Sequence, residues 1–153
     1  MLPTFYKHGD ISKELKSELL TKFDLDFTLS KNLKYNFFPR PHFIIKESSI
    51  IHNQKNISNI DKLKIFVSLN NLFSFKNINI NEVILEEANF ELEDKNSNFF
   101  LKLLNNNFLN TNFKIKNSNI FFRNSESEVL FINKIDSLKF YHDPNELKNI
   151  LWR

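Results

Sequence analysis

The sequence predicts a mainly β protein with short helices, folded as a strongly curved antiparallel meander with an amphipathic helix capping its N-terminal end. Three observations predict it. Apolar residues follow a helical period from Ile11 to Phe23 and change to a period of two immediately afterwards. A bent-strand pattern occurs three times, as Phe43-x-Ile45-x-x-Ser48-x-Ile50, Val83-x-Leu85-x-x-Ala88-x-Phe90 and Phe113-x-Ile115-x-x-Ser118-x-Ile120. A second pattern occurs twice, as Ile57-x-x-Ile60-Asp61-x-Leu63-Lys64-Ile65-Phe66 and Ile132-x-x-Ile135-Asp136-x-Leu138-Lys139-Phe140-Tyr141.

The helix spans residues 10–23. Asp10 serves as N-cap, and Ile11, Leu15, Leu19, Leu20 and Phe23 share one face, with Lys13, Glu14, Lys16 and Glu18 elsewhere. Two half-buried strands follow, joined around Ser30-Lys31-Asn32: Leu25, Phe27 and Leu29 alternate with polar residues, as do Leu33, Tyr35 and Phe37. Phe38-Pro39-Arg40-Pro41 then breaks the ladder, because proline has no amide proton to donate.

Further strands are expected over residues 43–51, 63–69, 78–85, 90–93, 113–122, 129–132 and 138–141. In the bent-strand pattern the step from Ile45 to Ile50 is odd, so the apolar face must be restored by a bulge or bend near the small residue. Short helices are expected near Asn70-Asn71-Leu72, over Phe99 to Phe108 behind an Asn98 cap, and after Asp143-Pro144-Asn145-Glu146, with Leu147, Ile150 and Leu151 inward. The last helix reaches Arg153 without a C-terminal cap signal. Residues 1–153 therefore read as one partial β domain, with bent strands and short helices over 25–153, cut from a longer chain.

Composition narrows the function. The 153 residues hold 18 Phe, one Gly (Gly9) and no Cys. Without cysteine there is no disulfide, thiolate zinc site or thiol nucleophile. A single glycine argues against phosphate-binding loops, dinucleotide fingerprints and nucleophile elbows, which rely on glycine backbone geometry. Residues His8, His42, His52 and His142 lack metal-ligand spacing, and His52 reads as a half-buried strand residue. Glu86, Glu87, Glu91, Glu93 and Asp94 form the densest acidic cluster, but Glu91 and Glu93 alternate with Phe90 and Leu92, which places them on a solvated strand face. The expectation is a non-enzyme with no metal or other cofactor. The net charge of +3 comes from dispersed Lys and Arg rather than a basic block, so no nucleic-acid partner is expected. No apolar run approaches the roughly 18 to 20 residues of a membrane span, and Met1 to Asp10 lacks the apolar core of a signal peptide.

The helix Ile11 to Phe23, the alternating stretch Leu25 to Phe37, the turn Phe37-Phe38-Pro39-Arg40-Pro41 and the strand Phe43-Ile44-Ile45-Lys46-Glu47-Ser48-Ser49-Ile50 together resemble the start of the AsmA-like bacterial envelope proteins. Ile60 to Leu72 is similar to the family's following strand and leucine-containing turn, Val83 to Leu92 to its next strand pair, and Asn98 to Phe122 to its helix and returning strand. The likeness covers nearly the whole chain in order and pattern, and the proline turn is its most specific part. Two features depart from the family: Lys31-Asn32 stands where a glycine is common, and the anchoring helix that usually precedes the amphipathic one is missing. The resemblance implies a taco-like β-groove related to bridge-type lipid carriers. It also implies an inner-membrane anchor upstream, a periplasmic location and a role in supplying lipid for outer-membrane assembly.

The strands also offer more alternating apolar surface than three short helices would cover. A lipid-accessible groove follows as the expectation, with phospholipid as the partner. Leu25, Phe27, Leu33, Tyr35 and Phe37 would begin its lining. Phe43, Ile45, Ile50, Leu63, Ile65 and Val67 would continue it, followed by Val83, Leu85, Phe90, Leu92, Phe113, Ile115, Ile120 and Phe122. The alternative is a structural or adhesive β-repeat in which the same residues close into a dry core.

Overall fold

The computed structural model describes residues 8–71, 78–98, 112–140 and 150–151. Helix α1, His8–Phe23, opens the chain. Eight strands follow: β1 Asp26–Thr28, β2 Leu33–Asn36, β3 His42–His52, β4 Lys55–Val67, β5 Ile80–Leu92, β6 Asn112–Arg123, β7 Val129–Phe140 and β8 Ile150–Leu151. All belong to one open, curved sheet, ordered β1-β3-β4-β5-β6-β7-β8, with β2 also on β3.

The sheet is mixed, which corrects the antiparallel expectation. β5 and β6 run parallel, with Val83 opposite Phe113 and Phe90 opposite Ile120, while the other pairs are antiparallel. β1 and β2 do not pair with each other. They lie end to end along one edge of β3, where Phe27 faces Ile50 and Tyr35 faces Phe43. Two expected pairs of short strands are single long ones. Of the expected strands, residues 80–85 and 90–92 fall in β5, and residues 129–132 and 138–140 in β7, so the polar residues between them sit inside strands. β4 begins at Lys55, ahead of the expected 63–69, because Asn56 and Asn59 are strand residues. Ile150 and Leu151 pair with Phe140 and Lys139 as β8 rather than ending a helix. The helix expected over 99–108 and the start of the one after Asp143 lie outside the described residues. The turn near Asn70 is a short 3-10 helix, Leu69–Asn71.

The bend required by the repeats is present in all three copies. Glu47, Glu87 and Asn117, each just before the small residue, adopt left-handed backbone with φ of 61°, 54° and 48°. The partner strands bend at the same level. Pairing passes from Lys46–Lys62 to Ser48–Ile60, from Lys62–Glu86 to Ile60–Ala88, and from Lys116–Ser137 to Ser118–Ile135. Glu47, Asp61, Glu87, Asn117 and Asp136 therefore form one crease across β3 to β7, and all five are exposed. The Ile60-Asp61 and Ile135-Asp136 pairs of the second pattern mark where the returning strands cross it. Just inside runs a buried row, Ser48, Ile60, Ala88, Ser118 and Ile135. The left-handed residue shifts the alternation by one, so apolar side chains face the same way on both sides of the crease.

That apolar face carries the core. Ile11, Leu15, Leu19 and Phe23 of α1 join Phe27, Phe43, Ile45, Leu63, Leu85 and Phe113 in one buried cluster. The Phe23 and Phe113 rings lie 5.4 Å apart. From the last turn of α1, Lys22 Nζ donates to the Ile80 carbonyl at 3.0 Å and to the Asn79 side chain.

Candidate functional site

Alternation within each strand assigns one sheet face to apolar side chains, and pairing brings those faces together. Most of the predicted groove-lining residues lie deep in the cluster. Leu25, Phe27, Leu33, Tyr35, Phe43, Ile45, Ile50, Leu63, Ile65, Val67, Val83, Leu85, Phe90, Phe113 and Ile115 are all buried there. Burial pushes the Tyr35 hydroxyl pKa above its ordinary value by desolvating the phenolate. Phe37 stands outside the strands and is exposed, its ring edge-on to Tyr35 at 5.1 Å.

The remaining three, Leu92, Ile120 and Phe122, are half-buried at the far end of the face, past the crease. They mark an apolar surface that continues out of the core. Phe122 stacks on Phe131 across the β6–β7 pair, with ring centroids 4.2 Å apart. Phe131 was not among the predicted lining residues. Its signal is its place in the expected 129–132 strand, but only the register puts it beside Phe122. Val129, Leu130, Phe131 and Ile132 are 44, 62, 53 and 55 % exposed. This end of β7 presents apolar side chains on both faces.

The opposite face is laced with ion pairs around a few apolar residues, of which Phe66 and Ile84 are buried. Lys62 and Lys64 approach Glu86 at 3.8 and 3.1 Å, Lys55 holds Glu93 at 3.0 Å, and Arg123 holds Glu91. Three carboxylates of the predicted acidic cluster thus have cationic neighbours, and Glu87 lies exposed on the crease. His52 ends β3 half-buried.

A polar cluster that sequence reasoning did not single out forms where the Phe-Pro-Arg-Pro turn meets this face. Glu82, with its side chain only 4 % exposed, takes Arg40 Nη2 on one carboxylate oxygen and Lys114 Nζ on the other, each at 2.6 Å. Burial alone would raise the Glu82 pKa, but hydrogen bonds and charge from Lys114 and Arg40 outweigh it and hold the carboxyl below its ordinary value. The Arg40 guanidinium lies over the Phe66 ring at 4.4 Å, the His42 ring stacks on Phe66 at 4.8 Å, and His42 Nδ1 meets the Arg40 carbonyl at 2.7 Å. These contacts join β3, β4, β5 and β6 and leave Glu82 oxygens committed to cations, an arrangement suited to fastening strands.

Among the described residues, no group of three His, Asp or Glu side chains converges as a metal site, and no helix is long and apolar enough to cross a membrane. Comparison with protein-family models and with curated proteins finds no match.

Proposed function

We propose that this chain is a non-catalytic element of a bacterial envelope protein, AsmA-like in its pattern, whose apolar sheet face contacts phospholipid acyl chains at its β5–β7 end. In this reading it stands on the periplasmic side of the inner membrane, carried by an upstream anchor, and serves lipid supply to the outer membrane. The observation that supports the proposal is the run of apolar side chains from the buried core to Leu92, Ile120 and Phe122, which are half-buried, and Phe131, which is exposed. Each acyl methylene taken from water gains roughly 0.8 kcal/mol, so about six of them on this surface would gain on the order of 5 kcal/mol before ordering costs. Phenylalanine suits such contact, since it offers apolar area with no polar atom to satisfy.

The structural or adhesive β-repeat is the second reading, and it too rests on a specific observation: Phe43, Ile45, Leu63, Ile65 and Leu85 are completely buried. Mass spectrometry of organic extracts from the purified chain separates the two. The lipid reading expects co-purifying phospholipid that falls when Leu92 and Phe122 are both changed to Asp, with the fold retained by circular dichroism. Protein that carries no phospholipid and extracts none from phosphatidylethanolamine–phosphatidylglycerol vesicles decides for the repeat.

A further inference from the structure

The two edges of this sheet differ. On the β3 side, β1 and β2 cover the ladder. On the β7 side, β8 pairs only with Lys139 and Phe140, so among the described residues the outer edge of β7 from Val129 to Ser137 has no strand beside it. This is the stretch whose first four residues are exposed and apolar. An open, apolar strand edge is a template for further backbone pairing.

The internal repeat identifies what fits there. Phe140 of β7 corresponds to Ile65 of β4 in the second pattern. Ile65 pairs with Val83 of β5, and Phe140 pairs with Ile150 of β8. β8 therefore stands on β7 where β5 stands on β4, in the same direction. β5 continues along β4 until Phe90 faces Ser58, whereas among the described residues the pairing on β7 covers only Ile150 and Leu151. The crease sets a further demand. Asp136 lies on it, three residues before Lys139, which faces Leu151. A strand in line with β8 must then place its left-handed residue three positions past the one facing Lys139, followed by a small residue, as β5 does at Glu87-Ala88. We infer that the open edge of β7 takes up a strand of the bent-strand pattern, antiparallel to β7 and in line with β8. Its recognition elements are backbone hydrogen bonds, the matched crease and apolar side chains set against Phe131 and Ile135. A second copy's β7 is a poor fit: antiparallel self-pairing that aligned the two creases would place Asp136 opposite Asp136 and collide with β8.

This inference rests on strand pairing and not on the lipid reading, and its test contains no lipid. The probe is a synthetic peptide of the chain's own β5 sequence, Ile80–Leu92, added to the full chain and followed by amide hydrogen exchange. The expected result is exchange slowed roughly tenfold or more across Val129–Ser137. A peptide lacking Glu87, which puts Phe90 on the wrong face, should lose the effect, and Asn133→Pro on β7 should weaken it. A second arm grafts Leu85–Leu92 directly after Leu151 and expects the same protection within one molecule. If that graft does not fold, the peptide arm still decides. Equal protection by both peptides, or protection by neither, overturns the inference. So does slow exchange over Val129–Ser137 in the monomeric chain without peptide. Self-association through this edge that Leu130→Lys disperses and the peptide does not compete with would assign it to a second copy instead.

Discussion

The Ser118 hydroxyl accepts the amide proton of Ala88 at 3.0 Å, across the parallel β5–β6 pair and at the crease. The same hydroxyl donates to the Lys116 carbonyl at 2.8 Å, so one buried side chain serves a donor and an acceptor where the regular ladder is interrupted. Ser48 fills the equivalent place in β3, but its buried Oγ has no hydrogen-bond partner among the described residues. Ser118→Ala should therefore cost about 1–3 kcal/mol, because it strands a buried amide, while Ser48→Ala should be neutral or slightly stabilising. Urea denaturation of the two variants checks the contrast. Equal effects would mean the crease does not depend on this hydroxyl.

Glu82 should make stability pH-dependent. Its carboxyl pKa is held below the ordinary value, so the unfolded chain, titrating near 4.3, binds its proton first as pH falls. The contribution is complete above the unfolded pKa and is lost as pH drops through the folded one. Glu82→Gln should remove that acid-side slope and cost about 1.5–3 kcal/mol near neutrality, as expected for hydrogen bonds to a charged group. Comparing denaturation of the two proteins from neutral pH down to acid reads both effects.

The crease positions should tolerate residues by backbone preference rather than by side-chain contact. Glu87 is exposed and left-handed, a conformation that asparagine adopts readily and β-branched residues resist. Glu87→Asn should be neutral or gain a few tenths of a kcal/mol, and Glu87→Val should lose about 1–2 kcal/mol. The check is the urea midpoint with an unchanged slope.

Fully buried and half-buried parts of the apolar face should respond differently to truncation. Phe113 is completely buried against Phe23, and Phe113→Ala should cost about 3–5 kcal/mol. Phe122 is half-buried, so Phe122→Ala should cost about 1 kcal/mol, set by the smaller area it removes from water. Similar losses at both sites would show that the β6–β7 end is as tightly packed as the core.

Much of the sheet was legible because its signals are local. The period change after Phe23 placed the helix and the first strands. The odd step in each bent strand located the crease to within a residue, because a face that must point inward on both sides constrains the backbone between. What failed was non-local or ambiguous. Nothing near Val83 or Phe113 announces a parallel neighbour, since that pairing depends on how the chain between the strands crosses. Asn56, Asn59 and Asp61 carry turn chemistry yet sit in β4, where pairing with β3, and from Ser58 onward with β5 as well, overrides propensity. Asp143-Pro144-Asn145-Glu146 supports a helix start, but how far a helix runs is set by tertiary contacts, and Ile150 is already in β8. In the candidate site, the apolar alternation identified the face. It did not separate the fully buried part from the half-buried end, nor could it bring Arg40 and Lys114 to Glu82 from distant parts of the chain.

The parallel β5–β6 junction has a kinetic consequence. Hairpins β3–β4 and β6–β7 each close through a few residues, at Asn53-Gln54 and at Asn124–Glu128. Val83 and Phe113 can meet only after the chain from Glu93 to residue 111 has been looped back, an entropy cost incurred before any contact across the junction compensates it. Contacts between distant segments of this kind form late and slow the folding of β-rich chains. The β6–β7 hairpin should therefore be the last unit to dock and the first to come away. Its departure would expose Phe90 and Leu85 together, in a cooperative opening short of global unfolding.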